Sequence, residues 1–195
     1  MIIIDDYIKD KRLLNKIKYD ENFFGPNGNF KWWGDWWNGE GWNEPKSTQQ
    51  ELVKHIWGIH CAYPDSFQVN GFEYWTGVYG DGHPNTDLGQ HYDKDEKHWL
   101  ETGGENGGEV LKPMMGTIYY PVEHSFDGGF LEIYSNGTDK DPERIDAKFN
   151  RLIIFDAGEH LHRVTQVSNG VRYAIAINLW AQPLKAALAN EMTIE

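Results

Sequence analysis

The chain is short of the residues that several common architectures need. Of its 195 residues only Cys61 is a cysteine, so no internal disulfide framework can hold it together. No apolar run approaches the roughly 20 residues of a membrane span, and the isoleucines Ile2 to Ile4 are too few for the core of a secretory signal. Cations are scarce: 18 Lys and Arg against 30 Asp and Glu leave a net charge of −12 and a pI near 5.0. That balance speaks against a phosphate-backbone partner, whose footprint is basic, and against anionic membrane surfaces. The stretch from Lys9 to Lys18 is basic but mixed, and reads as a solvated helix face. Repeats and linkers are also missing, and the length fits one domain with a substantial core. The expectation is a soluble cytoplasmic protein with neither nucleic acid nor membrane among its partners. Aromatic residues at 14% and 21 glycines fit a turn-rich β domain with an aromatic core.

Four side chains carry most of the chemical information. His91-Tyr92-Asp93 sets an imidazole and a carboxylate two residues apart. On a strand, residues two apart project to one side and can share one metal ion. Far downstream come His162 and, ten residues later, Arg172. Two histidines and one carboxylate with open coordination positions form the facial triad of non-haem Fe(II) oxygenases, although ligand identity alone would also permit zinc. His160 competes with His162, since both lie on the same face of one strand.

Hydrophobic periodicity divides the chain in two. Residues 1–5 read as a strand, and Asp6 to Lys18 as a helix with Tyr7, Ile8, Leu13, Leu14 and Ile17 on its apolar stripe. Glu21 to Asn43 reads as a Gly-, Asn- and Trp-rich loop. Ser47 and Gln50 form a capping-box pattern ahead of a second helix that runs toward Pro64. From Phe67 the pattern turns β, with strands at Phe67–Tyr79, Gly89–Asp93, Met115–Val122, Phe130–Tyr134, Arg151–Phe155, His160–Val167 and Val171–Trp180. Turn dipeptides separate them, and Pro183 to Met192 is a candidate terminal helix. Helices early and strands late predict a mainly β protein, a double-sheet jelly roll with supporting helices packed on one sheet.

Ser168-Asn169-Gly170 can close the last two strands in two registers. A two-residue loop pairs Val171 with Ser168 and turns Arg172 away from His162. A three-residue loop pairs Val171 with Val167 and Ala176 with His162, and brings Arg172 onto the face of His162. The second register is the expectation, because only it makes chemical sense. It puts Arg172, Ala174, Ala176 and Asn178 on the inner face, with Tyr173, Ile175, Ile177 and Leu179 outside. Arg172 then lies opposite Gln166, roughly 13 Å of strand from His162 at about 3.3 Å per residue. A guanidinium cannot cross that gap, but a five-carbon dicarboxylate chelating the metal could meet Arg172 in a bidentate pair.

The same residues resemble the prolyl 4-hydroxylase-like branch of the 2-oxoglutarate/Fe(II)-dependent dioxygenases. The resemblance runs from about Phe72 to Trp180. It takes in Tyr79, Ile118-Tyr119-Tyr120, Gly128-Gly129-Phe130-Leu131, Arg151 to Phe155 and Arg172-Tyr173-Ala174-Ile175, and Met1 to Tyr7 looks like that family's first strand. It implies a double-stranded β-helix core at about 67–181, with helical support at about 6–64, in a single domain spanning 1–195. It implies Fe(II) on His91, Asp93 and His162, and favours His162 over His160. It implies 2-oxoglutarate on Arg172, with Tyr120 sharing the distal carboxylate and Tyr79 in the pocket. For each tyrosine a core aromatic with a satisfied hydroxyl is the competing reading.

The activity implied is hydroxylation of an acceptor C–H by dioxygen, coupled to decarboxylation of 2-oxoglutarate to succinate. Asp93 favours this over halogenation, since halogenating relatives lack the carboxylate. The acceptor would be a prolyl or other peptidyl side chain, or a small molecule on the same scaffold. A cupin-type metal protein working without 2-oxoglutarate is the alternative, and Arg172 speaks against it. Two segments depart from the resemblance. Lys94 to Lys112 is longer and more polar than a tight connection, and within it Lys94 to Glu109, polar and Gly-rich, reads as a mobile loop beside the metal site or as a disordered insertion. The Trp-rich stretch holds five of the nine tryptophans between residues 32 and 42. It reads as a cap on the sandwich edge before it reads as a substrate wall, a lid or a sugar-stacking platform.

Overall fold

Side-chain alternation along the last long strand organises the molecule, which we describe from a computed structural model covering residues 1–20, 23–24, 30–34, 44–58, 69–123, 125–136 and 140–185. In chain order the elements are β1 (Ile2–Ile4), α1 (Lys11–Tyr19), β2 (Phe30–Gly34), α2 (Thr48–Trp57), β3 (Gly71–Gly80), β4 (Leu88–His91), α3 (Glu96–Thr102), β5 (Met115–Tyr119), β6 (Asp127–Gly128), β7 (Leu131–Tyr134), β8 (Glu143–Ile145), β9 (Leu152–Phe155), β10 (Leu161–Val164), β11 (Val167–Ser168) and β12 (Val171–Trp180). A six-stranded sheet runs β1-β9-β5-β12-β3-β2, and a four-stranded sheet β4-β10-β7-β8. All their pairings are antiparallel, as a jelly roll requires.

Strand β12 lies between β3 and β5 and is buried on both faces. Outward, Ile175, Ile177 and Leu179 pack with Leu13 and Ile17 of α1 and with Leu52, Val53 and Ile56 of α2. The helices therefore cover one sheet, as expected. A fully buried aliphatic side chain here contributes about 1.5–3 kcal/mol relative to exposure. Inward, Ala174 joins Ile118, Tyr120, Leu131, Ile133 and Phe155 in a second core between the sheets.

Both helices start where a side chain satisfies the free backbone donors. Asp10 accepts from Arg12 N at 2.8 Å, and Ser47 Oγ from Gln50 N at 3.2 Å. The first helix begins at Lys11, not at Asp6, because Asp6 is in a turn at φ 50°. Two segments expected to be loops are ordered. Phe30–Gly34 is the edge strand β2; its Trp33 ring lies tilted against that of Tyr74 with centroids 5.6 Å apart, and Trp32 packs beside Trp180 and Leu184. These two tryptophans cap the sheet edge as expected, while residues 35–43 lie outside the described residues, as does residue 186 onward of the expected terminal helix. Within Lys94 to Lys112, Asp95 accepts from His98 N at 3.0 Å to start α3, and from Lys185 N at 2.7 Å to tie it to the end of the chain. Among the described residues no helix is long and apolar enough to cross a membrane.

The expected hairpin of 160–167 with 171–180 does not form. Strand β10 pairs with β4 and β7 in one sheet, while β12 belongs to the other. The backbone groups such a hairpin needs are already engaged. Thr165 N donates to Phe130 O at 2.9 Å, Gly129 N to Gln166 O at 3.0 Å, and β11 pairs with β6. Asn169 at φ 55° and Gly170 at φ 147° do turn the chain, but they send it across to the opposite sheet. Any Cβ on Gly170 would sit 2.1 Å from the Ser125 carbonyl, so the crossing is built for glycine.

Candidate metal centre

His91 ends β4, His162 lies on β10, and the two are register partners. Their ring centroids are 4.2 Å apart. Asp93 follows β4, where its backbone N donates to Ala157 O at 2.9 Å. One ligand atom from each of the three lies within 4.8 Å of the others. Among the described residues no second such group occurs.

Protonation suits the three residues to a cation. His91 Nδ1 sits 2.8 Å from Gly89 O, and His162 Nδ1 2.9 Å from His160 O. A carbonyl only accepts, so each Nδ1 carries hydrogen. Each Nε2 then points at Asp93 Oδ1, at 3.4 Å from His91 and 3.5 Å from His162. Backbone carbonyls orienting imidazoles in this way are the usual outer support of metal-bound histidine. Burial pushes the Asp93 carboxyl up, but without a cation the hydrogen bonds that His162 and His91 donate when their Nε2 atoms are protonated prevail and hold it well below the usual carboxylate range; a bound metal ion would take the place of those protons. Burial lowers His91, and its bonds to Asp93 and to the Gly89 carbonyl outweigh that and raise it. His160 contributes only its carbonyl to this arrangement. His60 and His124 lie outside the described residues.

Facing the triad from the six-stranded sheet is a buried cation. Arg172 is 1% exposed. Its Nε donates to Gly129 O at 3.0 Å, and its Nη2 donates to Tyr120 Oη at 2.9 Å. It lies 5.1 Å from the Tyr120 ring and 5.9 Å from the Tyr79 ring. Among the described residues it has no carboxylate partner. Tyr79 lies directly across from Arg172 on β3, and burial raises its phenol. One enclosed pocket is lined by Asp93, His162, Tyr79, Arg172, Ala174 and Ala176. The two alanines leave the room between the triad and the guanidinium. A pocket with a carboxylate-bearing triad at one end and an unpaired guanidinium at the other suits a small dicarboxylate that chelates.

The profile of the 2OG-Fe(II) oxygenase superfamily matches residues 75–180, more than half of the chain. The chain belongs to this superfamily. Its cofactors are thus Fe(II) and 2-oxoglutarate, and the three ligand atoms, their tautomers and the unpaired arginine fit both. Solved structures place the oxygenase in the same fold. A Pseudomonas putida prolyl 4-hydroxylase superposes with a TM-score of 0.59 at 12% identity, over 93% of this chain and 92% of that one. A Trichoplax adhaerens prolyl hydroxylase, bound to a peptide of the hypoxia inducible factor oxygen degradation domain, gives 0.60 at 16%, over 95% and 85%. The collagen prolyl hydroxylase of Paramecium Bursaria Chlorella virus-1, in its 2OG complex, gives 0.55 at 15%, over 91% and 94%. No curated protein matches the oxygenase by sequence.

Three groups of the site were not assigned from sequence. The Gly128-Gly129 pair enters there only as part of the family resemblance, with no role of its own, yet the Gly129 carbonyl accepts from the Arg172 Nε. Asn178 reads only as a lining residue, yet its Nδ2 donates to Asp93 Oδ2 at 2.8 Å. Glu73, a carboxylate among aromatics on β3, accepts from Asn178 Nδ2 and from Trp180 Nε1, each at 3.0 Å. Burial pushes its carboxyl up to about 7.

Proposed function

We propose that this oxygenase holds Fe(II) on His91, Asp93 and His162 and 2-oxoglutarate between that centre and Arg172, and hydroxylates a peptidyl side chain. With both cofactors bound, dioxygen is reduced as 2-oxoglutarate leaves as succinate and CO2, and one oxygen atom enters an acceptor C–H bond. The chain's own residues bind, orient and shield. Arg172 offers its fork to the distal carboxylate, Tyr120 Oη steadies that fork by accepting from Nη2, and the Tyr79 hydroxyl is a further donor. Ala174, Ala176, Ile118 and Leu131 keep water away from the reacting end. The observation that carries this reading is Arg172: a guanidinium 1% exposed and without an anion is costly to bury, and an anionic ligand in the same pocket offsets that cost.

A peptide acceptor is supported by the peptide-bound Trichoplax neighbour and by the net charge of −12, which favours a cationic or neutral partner at range. The test is succinate release, with Fe(II) and 2-oxoglutarate present, against proline-containing peptides, basic peptides, free amino acids and anionic metabolites. Turnover of a peptide is expected. Turnover of a small anionic metabolite alone overturns the acceptor and leaves the cofactor assignment standing.

A further inference from the structure

Two polar side chains beside the triad have no part in that reading. Asn178 is 2% exposed, and its amide has two hydrogens, each given to a carboxyl oxygen: Asp93 Oδ2 at 2.8 Å and Glu73 Oε2 at 3.0 Å, the same Glu73 oxygen that accepts from Trp180. A flipped amide would set its carbonyl oxygen against both acceptors, so the orientation is fixed. Asn178 and Glu73 are cross-strand partners on β12 and β3. Glu73 Oε2 also takes the indole hydrogen of the fully buried Trp180, at 3.0 Å. On the β5 side stands Gly116, where any Cβ would lie 2.8 Å from Asn178 Oδ1. The amide therefore has one place to sit.

The two oxygens of Asp93 have different surroundings as a result. Oδ1 faces both imidazole Nε2 atoms at 3.4 and 3.5 Å, and Oδ2 is held by Asn178. We propose that Asn178, braced by Glu73 and Trp180, is a positioning residue that occupies Oδ2 and presents Asp93 to the metal through Oδ1 alone. The inference rests on reading Asp93 as a ligand. A carboxylate free to offer both oxygens can fill a coordination position that 2-oxoglutarate or dioxygen needs. Glu73 acts one step further out, as the acceptor that keeps the amide turned toward Asp93.

The test uses Co(II) in place of Fe(II), titrated under nitrogen with and without 2-oxoglutarate, with circular dichroism and melting as controls for folding. Asn178→Ala is expected to weaken Co(II) by about ten- to hundredfold and to alter the visible d–d spectrum, which a purely structural role would leave unchanged. Glu73→Leu is expected to do the same. Glu73→Gln, which keeps an acceptor oxygen, is expected to restore both the wild-type constant and the spectrum. The double variant Glu73→Leu/Asn178→Ala is expected to be no worse than either single one, because both break one chain of bonds. A folded Asn178→Ala with wild-type constant and spectrum overturns the proposal, and so do losses that multiply in the double variant. Where Asn178→Ala does not fold, Glu73→Leu decides: a wild-type spectrum overturns the proposal, and an altered one rescued by Glu73→Gln supports it. Failure of the wild-type protein itself to bind Co(II) overturns the ligand reading, and is distinct from these outcomes.

Discussion

Replacing Arg172 by methionine should move two quantities in opposite directions. The guanidinium is 1% exposed and paired with no carboxylate among the described residues. A charge-assisted pair with the distal carboxylate of 2-oxoglutarate is worth about 1.5–3 kcal/mol. At about 1.4 kcal/mol per decade, that is roughly ten- to hundredfold in the dissociation constant. The near-complete burial puts the expectation at the upper end. The same side chain is a burden on the ligand-free protein. Replacing a buried ion pair with apolar side chains of similar volume is often neutral or stabilises by about 1–4 kcal/mol, and a buried cation with no anion has no Coulombic partner to lose. Against this stand the lost bonds to Gly129 O and Tyr120 Oη, at about 1 kcal/mol each. The ligand-free variant should therefore melt at or slightly above the wild-type temperature. Anaerobic titration of 2-oxoglutarate into the Fe(II)-loaded protein, followed by its weak visible charge-transfer band, measures the first quantity. Calorimetry without ligands measures the second. A wild-type 2-oxoglutarate constant would refute the pocket assignment. A ligand-free variant that melts many degrees lower would refute the view that this cation waits for an anion.

Further outcomes are expected. His91→Ala or Asp93→Ala should abolish the charge-transfer band, and full activity in either would sink the ligand assignment. Metal affinity should fall as the pH drops through the raised pKa of His91, approaching about tenfold per unit for one displaced proton, and a pH-independent constant would contradict it. In the metal-free protein burial makes Glu73 hold its proton to about pH 7, against 4.5 for an ordinary glutamate. Its contribution to stability is therefore full below 4.5 and lost as the pH rises through 7. Glu73→Gln should gain on wild type between pH 5 and 8 by up to about 3 kcal/mol, and equal pH slopes of the two melting curves would count against it. A Cβ at Gly77 would lie 2.6 Å from the Tyr79 ring, so Gly77→Ala should displace that ring and weaken 2-oxoglutarate while leaving Co(II) affinity unchanged.

The sequence was legible where one rule acts locally. Alternation along Val171–Trp180 assigns Arg172, Ala174, Ala176 and Asn178 to the pocket and Ile175, Ile177 and Leu179 to the helices, as found. Register was not legible, because β12 pairs with β3 and β5, strands distant in sequence, and not with its neighbour β10. Arg172 shares the pocket of His162 all the same, reaching it from across the interior. The helix α3 was missed because none of its residues is buried, so no apolar stripe marks it; Asp95 as its cap was the available signal. Glu73 broke the apolar pattern of β3 in plain view. Its meaning depends on Asn178 and Trp180, more than a hundred residues away, and periodicity does not carry that information.

The triad and the arginine stand on different sheets. His91 and His162 belong to the four-stranded sheet, Arg172 and Tyr79 to the six-stranded one. A molecule that grips both ends of the pocket is then a strut between the two layers, and each layer supplies part of what holds it. The spacing of the sandwich sets the length of dicarboxylate that fits, so a substitution at Leu131 or Ile118, apolar residues that line the pocket between the sheets, should change which diacid is accepted before it changes how the metal is held.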